Sequence, residues 1–576
     1  MFERISCACV FIVIEDVMSS RFRVCVLGNG NRIYIQQGVM SVDVAIIGAG
    51  ISGLSAARIL SNSGCKSYKI FEASSRVGGR TFCDAEGTDL GGAYFGPTQD
   101  RIIAIIDELG LKLEKVNTLG KTVQIVRGVR KYYEGTIPPV SILGTLDLNA
   151  AMMKFDKLAS VINMKYPHLS EQSEYLDGMT AEELIRNTAW TSDAKAILRT
   201  GIRAILCVEP SQLSALYLVW YIAQSGGCRR IFETKDGAQD AKVRGGAGLI
   251  APLLAQKYAN GPDKISLNTP IRSMEDDPSG NGVLIHGTDG LLVHAKCVIM
   301  AIPPVQMLRI QYTPSLSAQR FQSLQRWPMG CICKTFMYYD KDFWTPLGLS
   351  GAIVTDEGPV CVSFADTRGD GSRPCIMGFV LAAQASALSS PQERRLMICE
   401  HYAKCFGTVE ALCSVDYKEK MWAEEQWVGG CYVGTVGPGV LTTCMRCHCD
   451  PFWGGEDSAI AGEGHVTDKE IPHKKVFIAG TEAAWLMVGY MDGAVESGER
   501  AARNALVHLG MLPSSEYDKI SQPGASVQMP HVEMTISTIE KYFLPTVGQV
   551  VGIVVVAAGV LWGVMYHKSS VACPYL

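Results

Sequence analysis

The sequence predicts a mixed α/β protein. It should have a discontinuous Rossmann-like dinucleotide-binding domain, a second domain beside it, and a C-terminal transmembrane helix. Three observations predict this. An apolar run ends in Gly48-x-Gly50-x-x-Gly53, followed by a helix-like segment, a second strand and Glu72. At 576 residues the chain is too long for one core and needs two or more domains. Residues 547–566 carry no charged side chain, and about 20 such residues span a bilayer.

Val44-Ala45-Ile46-Ile47 suits a buried strand. In the fingerprint that follows, Gly48 makes the tight turn and Gly50 lets the backbone approach a pyrophosphate. Gly53 lets helix and strand pack closely. The helix from Leu54 to Leu60 offers free N–H groups and a positive dipole end to phosphates. Tyr68-Lys69-Ile70-Phe71 is the second strand. Glu72 stands about 20 residues past the glycines, where an acid holds a ribose hydroxyl. Among 58 glycines the spacing alone is weak, and the order strand, helix, strand, acid makes it specific.

Arg76-Val77-Gly78-Gly79-Arg80-Thr81 and Leu90-Gly91-Gly92-Ala93-Tyr94 come next. This N-terminal part resembles the flavin amine oxidase family. The resemblance implies FAD as cofactor. Gly79 and its neighbour would let the backbone approach it, and Arg76 and Arg80 would face its phosphates.

Composition fits an enzyme with a large core: 47% of residues are hydrophobic and 19% charged. A net charge of −4 argues against a nucleic-acid partner. The 20 cysteines are scattered, which predicts buried thiols in a reducing compartment. Residues 1–40 form an extension of unknown role. Its apolar stretch Phe11-Ile12-Val13-Ile14 is cut by Glu15-Asp16 and fits neither a signal nor a transit peptide. Met40 is an alternative start.

Further along, Ile102 to Leu109 reads as a short amphipathic helix, and Leu213 to Tyr221 as a core helix. Gly245-Gly246-Ala247-Gly248 opens another helix. Cys297 to Ile302 is a buried strand stopped by Pro303-Pro304. Lys334 ends the apolar run that starts at Trp327. A lysine is ordinarily a solvated surface residue, but this stretch resembles the family's segment with a lysine near flavin N5. There Lys334 would position a water used in flavin reoxidation.

Trp422-Ala423-Glu424-Glu425-Gln426-Trp427-Val428-Gly429-Gly430-Cys431-Tyr432 closely resembles the monoamine oxidases within that family. The resemblance implies FAD bound covalently through an 8α-S-cysteinyl thioether at Cys431. The chemistry needs a thiolate beside the flavin methyl. Val428 stands where those enzymes usually carry Ser. Val476 to Glu482, then Gly489-Tyr490-Met491 and a helix, resemble the family's returning strand and helix. Glu482 and Met491 then join the cofactor site, and the helix N-terminus faces the pyrimidine end of the flavin.

Three departures stand out. Met487-Val488 replaces Trp-Ser, Gly437-Pro438 replaces Pro-Pro, and Cys447 to Pro472 is an insertion read as a polar surface loop. Cys444-x-x-Cys447-His448-Cys449 has ligand-like spacing, but no second cluster accompanies it, and no metal is expected.

The resemblance implies oxidation of primary and small secondary aryl-alkyl amines. The amine loses a hydride equivalent from its α-carbon, the imine hydrolyses to an aldehyde, and oxygen becomes hydrogen peroxide. Tyr432 and Tyr490 would form an aromatic pair before the flavin. Phe232 and Val362 would shape the substrate cavity, and Gln239 would face the substrate. An aromatic at the first position and a small aliphatic at the second suggest one open chamber, suited to amines such as serotonin. Two other readings stay open: a polyamine or methyl-lysine oxidase, and an inactive membrane-tethered flavoprotein scaffold.

The FAD-binding domain is expected at 41–115, 245–315 and 422–512, and the substrate domain at 116–244 and 316–421. A linker (513–543), the transmembrane helix (544–566) and a short tail (567–576) follow. Partners are the amine, molecular oxygen and a lipid bilayer, with a homodimer admitted. Few residues follow the span, which predicts post-translational insertion with the catalytic domain in the cytosol. The resemblance implies the mitochondrial outer membrane.

Overall fold

The strand Met40–Ile47 lies within an eight-stranded sheet, with Tyr68–Phe71 on one side and Leu292–Met300 on the other, both parallel to it. Ile265–Ser266 lies beyond the first neighbour. Val283–Gly287, Ile271–Asp276 and Gln311–Thr313 lie beyond the second. Val476–Ile478 completes the sheet, in parallel with Val298 to Met300. One sheet thus draws strands from three separated stretches of chain. Its central strands are buried apolar runs, as parallel strands covered on both faces require.

This computed structural model describes residues 14–15, 22–26, 32–36, 39–135, 138–367, 371–387, 390–444 and 475–516. The expected insertion at 447–472 and the charge-free run 547–566 lie outside the described residues. Among the described residues no helix is long and apolar enough to cross a membrane. No group of three or more potential metal ligands occurs among them either. Within the N-terminal extension, Ile14–Glu15, Phe22–Val26 and Arg32–Gln36 pair as a small antiparallel sheet.

The glycine-rich turn leads into the helix Ile51–Asn62. A Cβ on Gly53 would stand 2.0 Å from the Gly48 carbonyl oxygen, so only glycine lets this helix lie so close to the turn. The helix Met491–His508 crosses it just as tightly, and a Cβ on Gly498 would stand 2.1 Å from the Ser52 carbonyl oxygen. The Gly480 N–H donates to the Ser52 hydroxyl at 2.9 Å and the Ser497 hydroxyl at 3.1 Å, which ties the end of the returning strand to both helices.

The second domain combines a seven-stranded sheet with a helical cluster. The sheet order is Asp416–Met421, Ile332–Tyr338, Cys375–Leu381, Val362–Ala365, Leu349–Thr355, Lys121–Val126 and Val129–Tyr133. All seven residues of Ile332–Tyr338 are buried. Alternation sends Cys333 and Met337 toward the helix Pro391–Phe406, and Ile332, Phe336 and Tyr338 toward the opposite face. Lys334 shares that second face. The apolar run at 213–221 is a core helix as expected, spanning Ala215–Gln224. Ser214 caps it by accepting from the Leu216 and Tyr217 N–H groups. The amphipathic helix expected from Ile102 is Asp100–Glu108.

Burial pushes His401, on the helix Pro391–Phe406, down to about 4, and its Nε2–H donates to the Val360 carbonyl at 3.0 Å. The folded state therefore keeps this ring neutral while the unfolded chain takes up a proton below about 6.5. Stability should fall by about 3 kcal/mol as pH drops from about 6.5 to about 4. Urea unfolding of His401→Gln against pH checks this: the variant should lose that part of the slope, and an unchanged slope refutes it.

Candidate active site

A single cavity extends from the glycine-rich turn to the buried face of the second sheet. Gly48, Gly50, Glu72, Arg76, Gly79 and Arg80 line one part of its wall, and Met491 comes from the crossing helix. Lys334, Cys431, Tyr432, Tyr490 and Gln239 line it as well. Tyr94, Tyr221 and Phe379 complete an aromatic region that sequence reasoning did not assign. Tyr94 closes a motif singled out for its glycines, and Tyr221 closes a run read only as core.

The turn meets the requirements of a dinucleotide cradle. Gly48 has φ +101°, and a Cβ there would stand 2.6 Å from the Ala301 carbonyl oxygen. A Cβ on Gly50 would meet nothing within 4 Å, so its backbone is open to the cavity. The helix Ile51–Asn62 begins at Gly50 without a side-chain cap, which leaves its first N–H groups available to an anion. The helix Met491–His508 likewise begins at Tyr490 without a side-chain cap. Glu72 accepts from the Ala49 N–H at 2.7 Å and from the Ser74 hydroxyl at 2.8 Å. It braces the turn, and a carboxylate has lone pairs left for a ribose hydroxyl.

The two arginines expected to face phosphates both line the cavity, and each also holds protein groups. Arg76 donates to the Gly79 carbonyl at 3.0 Å and lies over the Phe82 ring, 4.5 Å from its centroid. Arg80 grips Glu482 in bidentate fashion, at 2.5 and 2.9 Å, and also donates to the Tyr432 carbonyl at 2.9 Å. Glu482 lies behind the cavity wall and accepts from the Gly434 N–H at 3.1 Å. The pair therefore fastens the Cys431 loop to the turn before Tyr490.

Cys431 is 5% exposed, and it is the one cysteine in the cavity wall among the described residues. Its peptide bond to Tyr432 is cis. Gly430 has φ +145°, and a Cβ there would collide with the Gly330 carbonyl oxygen at 2.5 Å. The Cys431 N–H donates to that same oxygen at 2.9 Å. The glycines thus let this loop lie flat on residues 329–330. Burial pushes the Cys431 thiol up to about 12, against the pull of Arg80 and Lys334. The expected thiolate is a neutral thiol in this arrangement.

Lys334 is 4% exposed, against the ordinary habit of lysine. Its Nζ donates to the Asp89 carbonyl at 2.6 Å and the Gly91 carbonyl at 2.9 Å. Burial draws it down to about 8, with Asp89 acting in the opposite sense. Two of three ammonium protons are used, leaving one for a cavity water. The Tyr490 ring stacks on Tyr221 with centroids 5.7 Å apart, and its hydroxyl lies 3.2 Å from that of Ser225. Tyr432 meets Phe379 edge-on at 6.1 Å.

Phe232 and Val362 are not among the lining residues. Phe232 packs against Gly201, where a Cβ would come within 2.8 Å of the ring. Val362 is half-buried, pairs with Phe379 across the sheet and packs in the cluster that holds Phe379 and Tyr432, so it adjoins the aromatic wall.

This fold and cavity define a flavin-dependent amine oxidase. Residues 51–506 match the family described as "Flavin containing amine oxidoreductase", and the chain belongs to it. It is 37% identical over 535 residues to flavin-containing amine oxidase A of Equus caballus, covering 91% of this chain and 96% of that protein. Flavin-containing amine oxidase B of Homo sapiens is 34% identical over 539 residues, covering 92% and 98%. Among solved structures, putrescine oxidase bound to putrescine superposes with a TM-score of 0.73 at 28% identity, over 82% of this chain and all of that one. Cyclohexylamine oxidase from Brevibacterium oxydans IH-35A gives 0.73 at 28%, over 81% and 99%. The family implies FAD, and the open cradle at Gly50 with two uncapped helix N-termini fits it.

Proposed function

We propose that this amine oxidase acts on primary and small secondary aryl-alkyl amines, holding FAD through a thioether at Cys431. The observation that carries the reading is the wall shared by Lys334, Cys431, Tyr432 and Tyr490. FAD supplies the two-electron oxidation when bound. The tyrosine faces of Tyr432 and Tyr490 would guide the amine, with Gln239 facing its side chain. The aromatic wall excludes water and favours the neutral amine, whose lone pair the reaction needs. Lys334, as an ammonium, would orient a water or oxygen species.

Charge distinguishes this reading from a polyamine oxidase. The lining carboxylates are Glu72, which braces the turn, and Glu425, which is ion-paired with Lys420. The aromatic region around Lys334 adds none, so the second ammonium of a diamine lacks a counter-charge there. Anaerobic flavin bleaching against serotonin, phenylethylamine, benzylamine and spermine tests this. The aryl-alkyl amines should bleach the flavin fastest, and bleaching by spermine alone would overturn the reading. Peroxide release with tyramine separates either oxidase from an inactive scaffold.

Lys334→Met should slow reoxidation by oxygen on the order of a hundredfold, with a far smaller effect on anaerobic reduction by amine. Equal stopped-flow reoxidation in variant and parent would remove Lys334 from the oxygen step.

We also propose that residues 544–566 anchor the protein in a membrane, by resemblance the mitochondrial outer membrane, with the catalytic domain in the cytosol. The support is the charge-free run of valine, isoleucine, leucine and glycine with Trp562 and Tyr566 near one end. A chain cut before Lys541 should become extractable by alkaline carbonate while keeping its flavin. Retention in the membrane pellet would show that another element also anchors it.

A further inference from the structure

Asp89 is a buried carboxyl group that the reaction as described does not use; burial pushes it upward, and Lys242 and Lys334 pull it down. It is 1% exposed and lies directly before Leu90-Gly91-Gly92. Its carbonyl accepts from Lys334 Nζ at 2.6 Å, and its Oδ1 accepts from the Gly248 N–H at 3.3 Å. Among the described residues nothing donates to its Oδ2. A carboxylate so placed is costly unless a nearby charge compensates it.

Two lysines act on its carboxylate electrostatically without forming a direct ion pair with it. Lys334 reaches Asp89 through its carbonyl. Lys242 comes from the strand Ala241–Val243, whose register sets it opposite Tyr94. Lys242 is already ion-paired with Asp366. Lys334 donates to two main-chain carbonyls, and of the carboxylates acting on it Asp89 acts more strongly than Asp366. The cluster then holds two cations and two anions, in an interior where charges interact strongly.

We propose that Asp89, with the Lys242–Asp366 pair behind it, is the positioning residue that sets the charge of Lys334. This rests on Lys334 being the group that serves the oxygen step. The other titratable groups facing the cluster are Tyr94, Tyr338, Cys83, Cys375 and Cys431. Burial pushes each of them upward, so they stay neutral near pH 7. Loss of the Asp89 charge makes the Lys334 ammonium harder to hold, and loss of the Lys242 charge makes it easier.

The test is a pH titration of the visible spectrum of the oxidised holoenzyme. A transition that Lys334→Met abolishes belongs to Lys334. Asp89→Asn should lower its midpoint by about one pH unit or more. Lys242→Met should raise it, and Asp89→Glu should leave it near the parent value. The descending limb of the reoxidation profile should move with the midpoint. An unmoved midpoint in Asp89→Asn overturns the proposal while leaving the role of Lys334 intact. If Lys334→Met abolishes no transition, both fall. Where Asp89→Asn does not fold, Lys242→Met decides, and a midpoint that fails to rise overturns the proposal.

Discussion

Cys431→Ala should release its flavin on acid precipitation, while the parent protein keeps flavin in the pellet. The argument is geometric. Cys431 is the one cysteine among the described residues that faces the cavity, so no other described thiol could replace it. Its loop is fixed from both sides: the Cys431 N–H donates to the Gly330 carbonyl at 2.9 Å, and Arg80 holds the Tyr432 carbonyl at 2.9 Å. Alanine deletes the sulfur and keeps these main-chain contacts, so the variant should fold and bind FAD reversibly. Flavin retained in the pellet by Cys431→Ala would move the attachment elsewhere.

Glu482→Ala should destabilise the protein by about 3–5 kcal/mol, the usual cost of breaking a buried ion pair from one side. Glu482 is 2% exposed and accepts two hydrogen bonds from Arg80 and one from the Gly434 N–H. Removing it strands a guanidinium and a peptide N–H together. Arg80 would also lose the partner that aims it at the Tyr432 carbonyl, so the change in flavin fluorescence on urea unfolding should begin at a lower denaturant concentration. The double variant Arg80→Met/Glu482→Leu should be less damaging than Glu482→Ala, because no charge is left unpaired. A loss below about 1 kcal/mol in Glu482→Ala would show a solvated pair of ordinary surface strength.

These two expectations differ in how they could be found. The Cys431 motif is contiguous, and its glycines serve a local backbone requirement visible in a string of letters. The Arg80–Glu482 pair joins residues far apart in the chain. Resemblance implies that both lie beside the cofactor, but their attachment to each other follows from the returning strand Val476–Ile478 joining the first sheet. The same holds for Asp89, which precedes a recognised glycine motif yet has no significance until Lys334 is folded against it. Phe232 and Val362 are a different case. Resemblance alone points to them, and the packing sets Phe232 on Gly201 and pairs Val362 with Phe379 in the aromatic cluster.

By itself the sequence determined the class of fold and the glycine-rich turn of the cofactor cradle, and the cysteine of the cavity wall was reached through resemblance. The first two depend on features with short-range causes: positive φ at glycine, the alternation of a strand, the spacing from turn to acid. It also marked a charge-free segment, because bilayer thickness sets a length that can be counted. Only the tertiary structure decided that Lys334 is a buried cation rather than a surface one. Pairing with Phe379 across the sheet fixes which face Lys334 occupies, and the carbonyls of Asp89 and Gly91 then receive its ammonium. Sheet register and the desolvation of charge arise between distant residues, and no local pattern encodes them.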